Sequence, residues 1–264
     1  VPQNCASIAS LCKCHFVYYF AMQVPTDLER RNMNQASAID HSSSAEASER
    51  THIGESFTKL VWIFLLMSVV GLIGETLQHF IAFNEWESRP GFIWGPLSPI
   101  YGTAAVLLTL ILEPLQKKNP LVLIAIGAIV GGGLEYFASW AMETFGGIVA
   151  WSYINNPFNF DGRTDLFHAL VWGTLGMLWV KVGLPLCEKG FSYLNLESKI
   201  ARFATAALSI FLVLNIVMTI CVLVRTDHRA SGVPPQNAFE QYIDYAYPTE
   251  MLQKRFHNMG GLGM

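Results

Sequence analysis

The sequence is short of charge. Of its 264 residues, 14% are Asp, Glu, Lys or Arg, against about 25% in an ordinary soluble protein. A net charge of -3 and an isoelectric point near 6.2 leave no basic face for nucleic acid. The chain also lacks the common catalytic signatures. No stretch fits G-x-x-x-x-G-K-[ST], so these residues hold no phosphate loop for ATP, and neither a nucleophile elbow nor an HExxH pair is present. Cysteine is sparse: Cys5, Cys12, Cys14, Cys187 and Cys221. Cys12, Cys14 and His15 crowd together without the ligand spacing or the fourth ligand of a structural zinc site, so no metal and no cofactor are expected.

What is abundant is apolar sequence. Residues 60–186 carry 13 charges in 127 positions, and a mean hydropathy of +0.35 averages this region with polar tails. A bilayer core of about 30 Å needs about 20 apolar residues in helix. Five segments approach or pass that length: 60–83, 96–112, 121–142, 166–186 and 203–224, the last with no charge at all. The fold class expected is all-α, a polytopic transmembrane bundle of about five helices spanning 57–225, and the partner of that surface is the lipid membrane. Residues 1–56 are expected to be a largely disordered tail: 27–55 are rich in Ser, Ala, Asn, Glu and Arg, while the more apolar stretch 8–24, with Lys13 and His15 in its centre, reads as an interfacial or signal-like segment. They begin at Val1 rather than Met, as a fragment would. Residues 226–264 read as a polar linker followed by an amphipathic helix on the membrane surface, with Phe239, Tyr242, Ile243 and Ala246 on its apolar face, and a second short helix from Thr249.

Lys and Arg in the short loops number seven on the side of the N-terminus and four on the other, with Lys181 able to snorkel to the first side. That asymmetry predicts a multi-pass protein of the cell membrane with a cytoplasmic N-terminus.

An ionisable residue in the bilayer costs at least about 2.5 kcal/mol unless it faces protein or water, so those inside the spans are the candidate site. Glu75, Gln78 and His79 share one helical stripe with Gly71; Gly131, Glu135, Ser139 and Glu143 share another. The spacing from Gly71 to Glu75 recurs from Gly131 to Glu135, and that from Glu75 to Gly102 recurs from Glu135 to Gly162. This predicts two helix-loop-helix repeats, with a site between the halves. Two loops dense in Pro, Gly and Asn join them: 88–102, SRPGFIWGPLSPIYG, and 151–163, WSYINNPFNFDGR. Irregular backbone at membrane depth has to be buried in protein or line a wet cavity. Gly95, Pro96, Pro99, Tyr101, Gly102, Trp151, Pro157 and Gly162 form the loop motif. Asn159 joins the polar pathway, and Arg89 and Arg163 can each fork onto an intramembrane acid.

GFIWGPLSPIYG, the LEY at 134–136, and PFNFDGR followed by LVWGTLG at 170–176 resemble the CmpB family of ABC-transporter membrane proteins. The resemblance covers about 57–186. It departs at Leu72, where the family usually has Trp, and at Ser152, where it has an acid. The resemblance implies a permease subunit moving a small solute, with ATP hydrolysis supplied by a separate ATPase subunit. The residues leave other readings open: a stand-alone proton-coupled carrier in which Glu75 or Glu135 takes up a proton, a lipid-acting enzyme using Glu75, His79, Glu135 and His168, a scaffold subunit, and assembly as a homo-oligomer.

Overall fold

The computed structural model describes residues 57–196 and 198–256, all within one compact unit, Glu55–Met264. The expectations for the tail 1–56 and its cysteines lie outside the described residues. All five apolar segments are helical: α1 (Phe57–Phe83), α2 (Pro99–Leu112), α3 (Pro120–Gly146), α4 (Leu166–Leu178) continued by α5 (Leu184–Leu194), and α6 (Lys199–Ala230). Asn119, Asp165 and Ser198 cap α3, α4 and α6 by accepting from the backbone N–H of Leu121, His168 and Ala201, which satisfies helix donors that would otherwise be orphaned. Between α4 and α5 the rod Leu166–Leu194 widens into a π turn, Trp179–Gly183. Pro185 lies just beyond it, where a regular helix would drive the ring against the carbonyl four residues back.

Among the described residues four helices are long and apolar enough to cross a membrane: Phe57–Phe83, Pro120–Phe145, Leu166–Leu194 and Lys199–Ala230. The second segment, expected to span over 96–112, differs. Its helix starts at Pro99, which occupies the first turn, and ends after 14 residues, extended only by a 3₁₀ turn, Glu113–Leu115. Fourteen residues rise about 21 Å, short of the bilayer core. The backbone before Pro99 stays irregular and packs inside the protein, with Phe92, Ile93, Leu97 and Ser98 all buried.

Ion pairs and core clusters fix the alternation of the helices. Lys59 near the start of α1 meets Glu113 after α2 (3.2 Å) and Glu188 in α5 (2.6 Å), so these three termini share one end. At the other end Ile93, Ile148, Ala150 and Val222 pack with two C-terminal helices, α7 (Ala238–Ala246) and α8 (Thr249–Arg255). Residues Ile73, Ile81, Ile129, Ile200 and Phe203 project outward, as lipid-facing positions do.

The interior holds an apolar core around Ile63, Leu108, Leu112, Leu123 and Trp179, and glycines stand where the helices approach most closely. A methyl group on Gly127 of α3 would come within 3.1 Å of the Gly173 Cα in α4, and one on Gly173 would overlap the Ile124 carbonyl. Gly102 of α2 lies equally close to Ser68 and to the Phe64 carbonyl of α1.

Two expectations are corrected. The apolar face of α7 does not simply lie on lipid: Ile243 is buried against the bundle while Phe239 and Tyr242 are exposed. The polar stretch after residue 225 is not linker at its start, because α6 runs on to Ala230 with Arg225 and Thr226 buried. Arg225 forks onto Asp244 of α7 at 2.9 and 2.7 Å. Hydrogen bonds from Arg225 hold the Asp244 carboxyl below the usual carboxylate range, against the opposing effect of burial.

Candidate functional site

The first loop, residues 84–98, is tied to distant sequence. Asn215 sits near the midpoint of the 32-residue helix α6 and is fully buried. Its side-chain oxygen accepts from the Trp94 N–H (3.1 Å) and its amide donates to the Trp94 carbonyl (2.9 Å). One turn on, the Thr219 hydroxyl accepts from the Ile93 N–H (3.0 Å). Arg255 of α8 donates to the carbonyls of Phe92 and Gly95. Five backbone groups of this loop thus find partners inside the protein, as irregular backbone in a membrane requires. Gly95 (φ 75°) makes the turn that a side chain would strain; Pro96 is exposed and Pro99 begins α2.

This loop closes over the first acid. Glu75 is half-buried, with Tyr101 and Arg89 beside it. Arg89 donates from Nε to Glu87 (3.0 Å), so the arginine expected to fork onto an intramembrane acid bonds a loop neighbour first; His79 Nε2 lies 3.3 Å from the same carboxylate without a hydrogen-bond partner. Gln78 does not join: it is exposed on the outer face of α1. Tyr101 packs its ring on Gly71, where no side chain could stand.

The second acid is more deeply set. Glu135 is 5% exposed and accepts from the hydroxyls of Tyr153 (3.0 Å) and Thr164 (2.7 Å); Trp172, packed on Gly131, stands beside the same carboxyl. Burial pushes the Tyr153 hydroxyl up, and the Glu135 charge adds to it, so Tyr153 remains a neutral donor. Arg163 does not reach Glu135. It pairs with Ser139 (3.4 Å) and Glu143 (2.5 Å), one and two turns further along α3.

The second loop, residues 147–165, holds itself. Its two-residue strands β1 (Asn159–Phe160) and β2 (Thr164–Asp165) pair antiparallel. Asn159 donates to the carbonyls of Ile154 and Asn156 and accepts from the Gly162 N–H, making it a bracket for the loop rather than a lining group. The Trp151 indole donates to the Arg163 carbonyl (2.9 Å), and the Gly162 carbonyl accepts from the Tyr153 N–H (2.7 Å). Pro157 is exposed at the tip. Asp165 is fully buried. Burial favours its neutral form, but the His168 backbone N–H, the Asn156 amide and the His168 ring outweigh that and hold its carboxyl low. The Tyr153 ring stacks on His168 at 4.2 Å.

Glycine marks one further correction. Gly162 lies in this loop at φ 68°, whereas Gly102 lies within α2, so the two are not the equivalent pair their spacing suggested. The sequence also hid Asn215, Thr219 and Arg255; the one visible signal was Asn215, an amide inside the most apolar run. Among the described residues no three His, Cys, Asp or Glu side chains are placed to hold a metal ion. His168 bonds Asp165, whereas His79 lies apart from it, beside Glu87.

The family described as "putative ABC-transporter type IV", of CmpB type, matches residues 62–220. No curated protein and no solved structure matches the chain.

Proposed function

The chain belongs to the CmpB-type family of ABC-transporter-related membrane proteins, and from that premise we propose that it is a permease subunit carrying a small solute along a polar intramembrane path. The observation supporting this reading is Glu135. A carboxyl held in an apolar bundle by two hydroxyls, with no Lys or Arg bonded to it among the described residues, is costly for a structural role and is typical of substrate and ion paths. Glu75 with Arg89 extends the path toward the first loop. From the buried Ser139 the path would lead past Arg163 to the exposed Glu143. Because these 264 residues contain no phosphate loop, hydrolysis of ATP falls to a separate subunit. The charge asymmetry of the loops supports a cytoplasmic N-terminus in the cell membrane.

Cells lacking the protein should accumulate or fail to acquire particular solutes, seen by untargeted comparison of intracellular and external metabolites. Glu135→Gln should reproduce that difference at wild-type abundance in the membrane. A Glu135→Gln strain with the wild-type solute profile would contradict the path.

A further inference from the structure

Helices α3 and α4 run antiparallel, and their glycine contacts fix the register between them. Gly127 meets Gly173, Gly131 is covered by the Trp172 side chain, and a methyl group on Gly132 would come within 3.1 Å of the Ala169 Cβ. Each step toward the end of α3 is matched by a step back toward the start of α4. One turn on from Gly131 and Trp172, that register sets Glu135 opposite His168. Two bonds agree with it: the Thr164 hydroxyl, four residues before His168, donates to Glu135 (2.7 Å), and Arg163 reaches Ser139, one turn beyond the acid.

The imidazole is held on three sides. Asp165, fully buried, brings both carboxylate oxygens within 2.9 Å of His168 Nδ1 and accepts from the backbone N–H of the same residue (2.7 Å). A carboxylate only accepts, so Nδ1 carries the proton it donates and Nε2 keeps the lone pair. The Tyr153 ring stacks on the imidazole face at 4.2 Å, and the Phe167 ring closes one edge at 5.3 Å. The hydroxyl of that same Tyr153 goes on to Glu135 (3.0 Å). The His168 side chain is 32% exposed, so its free edge is reachable from outside. A helix cap alone needs only the His168 N–H; the fixing of the ring is additional.

The titratable groups around this ring come from three elements. Asp165 of β2 and Tyr153 of the loop touch it, and Glu135 of α3 faces it. Arg163 is taken by Glu143, and Tyr101 of α2 lies one turn deeper, against Trp172.

We propose that His168 is a proton-binding site of the polar path, taking a proton from water at Nε2 and holding the resulting imidazolium opposite the Glu135 carboxylate. The inference deepens the permease reading and rests on it for its role in transport. Protonation turns a neutral ring into the cation that Glu135 otherwise lacks, Asp165 keeps the ring in place in both forms, and the proton leaves to water from the same nitrogen. Imidazole is the side chain suited to this exchange at physiological pH.

The test is labelling of the full-length protein in its membrane with diethyl pyrocarbonate, which acylates the neutral imidazole nitrogen and spares the imidazolium. Adducts are measured by peptide mass spectrometry, with the exposed His228 as internal reference. In the wild type, His168 should label at about pH 7.5 and progressively less as pH falls to about 5.5. Glu135→Gln removes the facing charge and should raise labelling of His168 roughly three- to tenfold at the acid end, with His228 unchanged. Glu135→Asp keeps the charge and should stay near the wild-type rate. A wild-type His168 that does not label at about pH 7.5, an unchanged rate in Glu135→Gln, or an equal rise in Glu135→Gln and Glu135→Asp would overturn the proposal. Labelling requires no transport, so a failed proton site and a failed permease reading, which the solute profile reports, are told apart.

Discussion

The two loops that close over the acids reach the same end by opposite means. Residues 147–165 are built from their own side chains: Asn159 brackets the turn, Asp165 caps the next helix and binds Asn156, and Trp151 returns to the Arg163 carbonyl. Residues 84–98 bond chiefly to residues more than 120 positions away, Asn215, Thr219 and Arg255. The first kind of loop is a local property of the chain. The second exists only when the last membrane helix and the C-terminal helices are in place, so its shape reports on the state of the whole bundle.

The largest effect should come from Asn215→Leu. It leaves the N–H and carbonyl of Trp94 without partners, at about 1–3 kcal/mol for each orphaned group. Amide exchange should rise across 92–95 and stay unchanged across 153–163; a rise in both would erase the distinction. Asp165→Ala should act on the other loop, by loss of a helix cap worth about 1 kcal/mol and of the Asn156 bond. Here exchange should rise across 153–163 and in the first turn of α4 while 92–95 stay protected. The smallest effect is acidification. Asp244 is held low by Arg225, so the stability it contributes is present above the ordinary carboxylate value, about 4, and is lost as pH falls through its lower folded value. Exchange in Ala238–Ala246 should increase in that window, followed by the first loop through Arg255. Asp244→Asn should remove this acid response and leave that of Asp165 in the second loop.

Much of the fold was legible because the bilayer imposes a simple rule on composition: apolar runs near 20 long with at most one charge became helices in all five places. The shortfall at α2 was carried by Pro99, which starts a helix but cannot continue one backward through Pro96 and Gly95. The acids and loops of the candidate site were legible as costly residues in apolar context, and Arg163 does meet an acid of α3, Glu143 rather than Glu135. What stayed hidden was long-range pairing. Nothing local to Trp94 names Asn215, which stands 121 positions away. The helix α7 shows the same limit: an amphipathic face fits a membrane or a protein equally well, and only Ile93, Ile148 and Val222 on the bundle decide between them.

The most direct test of the permease account is purification of the full-length chain from its native membrane in mild detergent, with mass spectrometry of what remains bound. The account predicts a P-loop ATPase in fixed stoichiometry with the chain. Recovery of the chain alone, or only with copies of itself, would contradict it and favour a carrier or an enzyme that works without one.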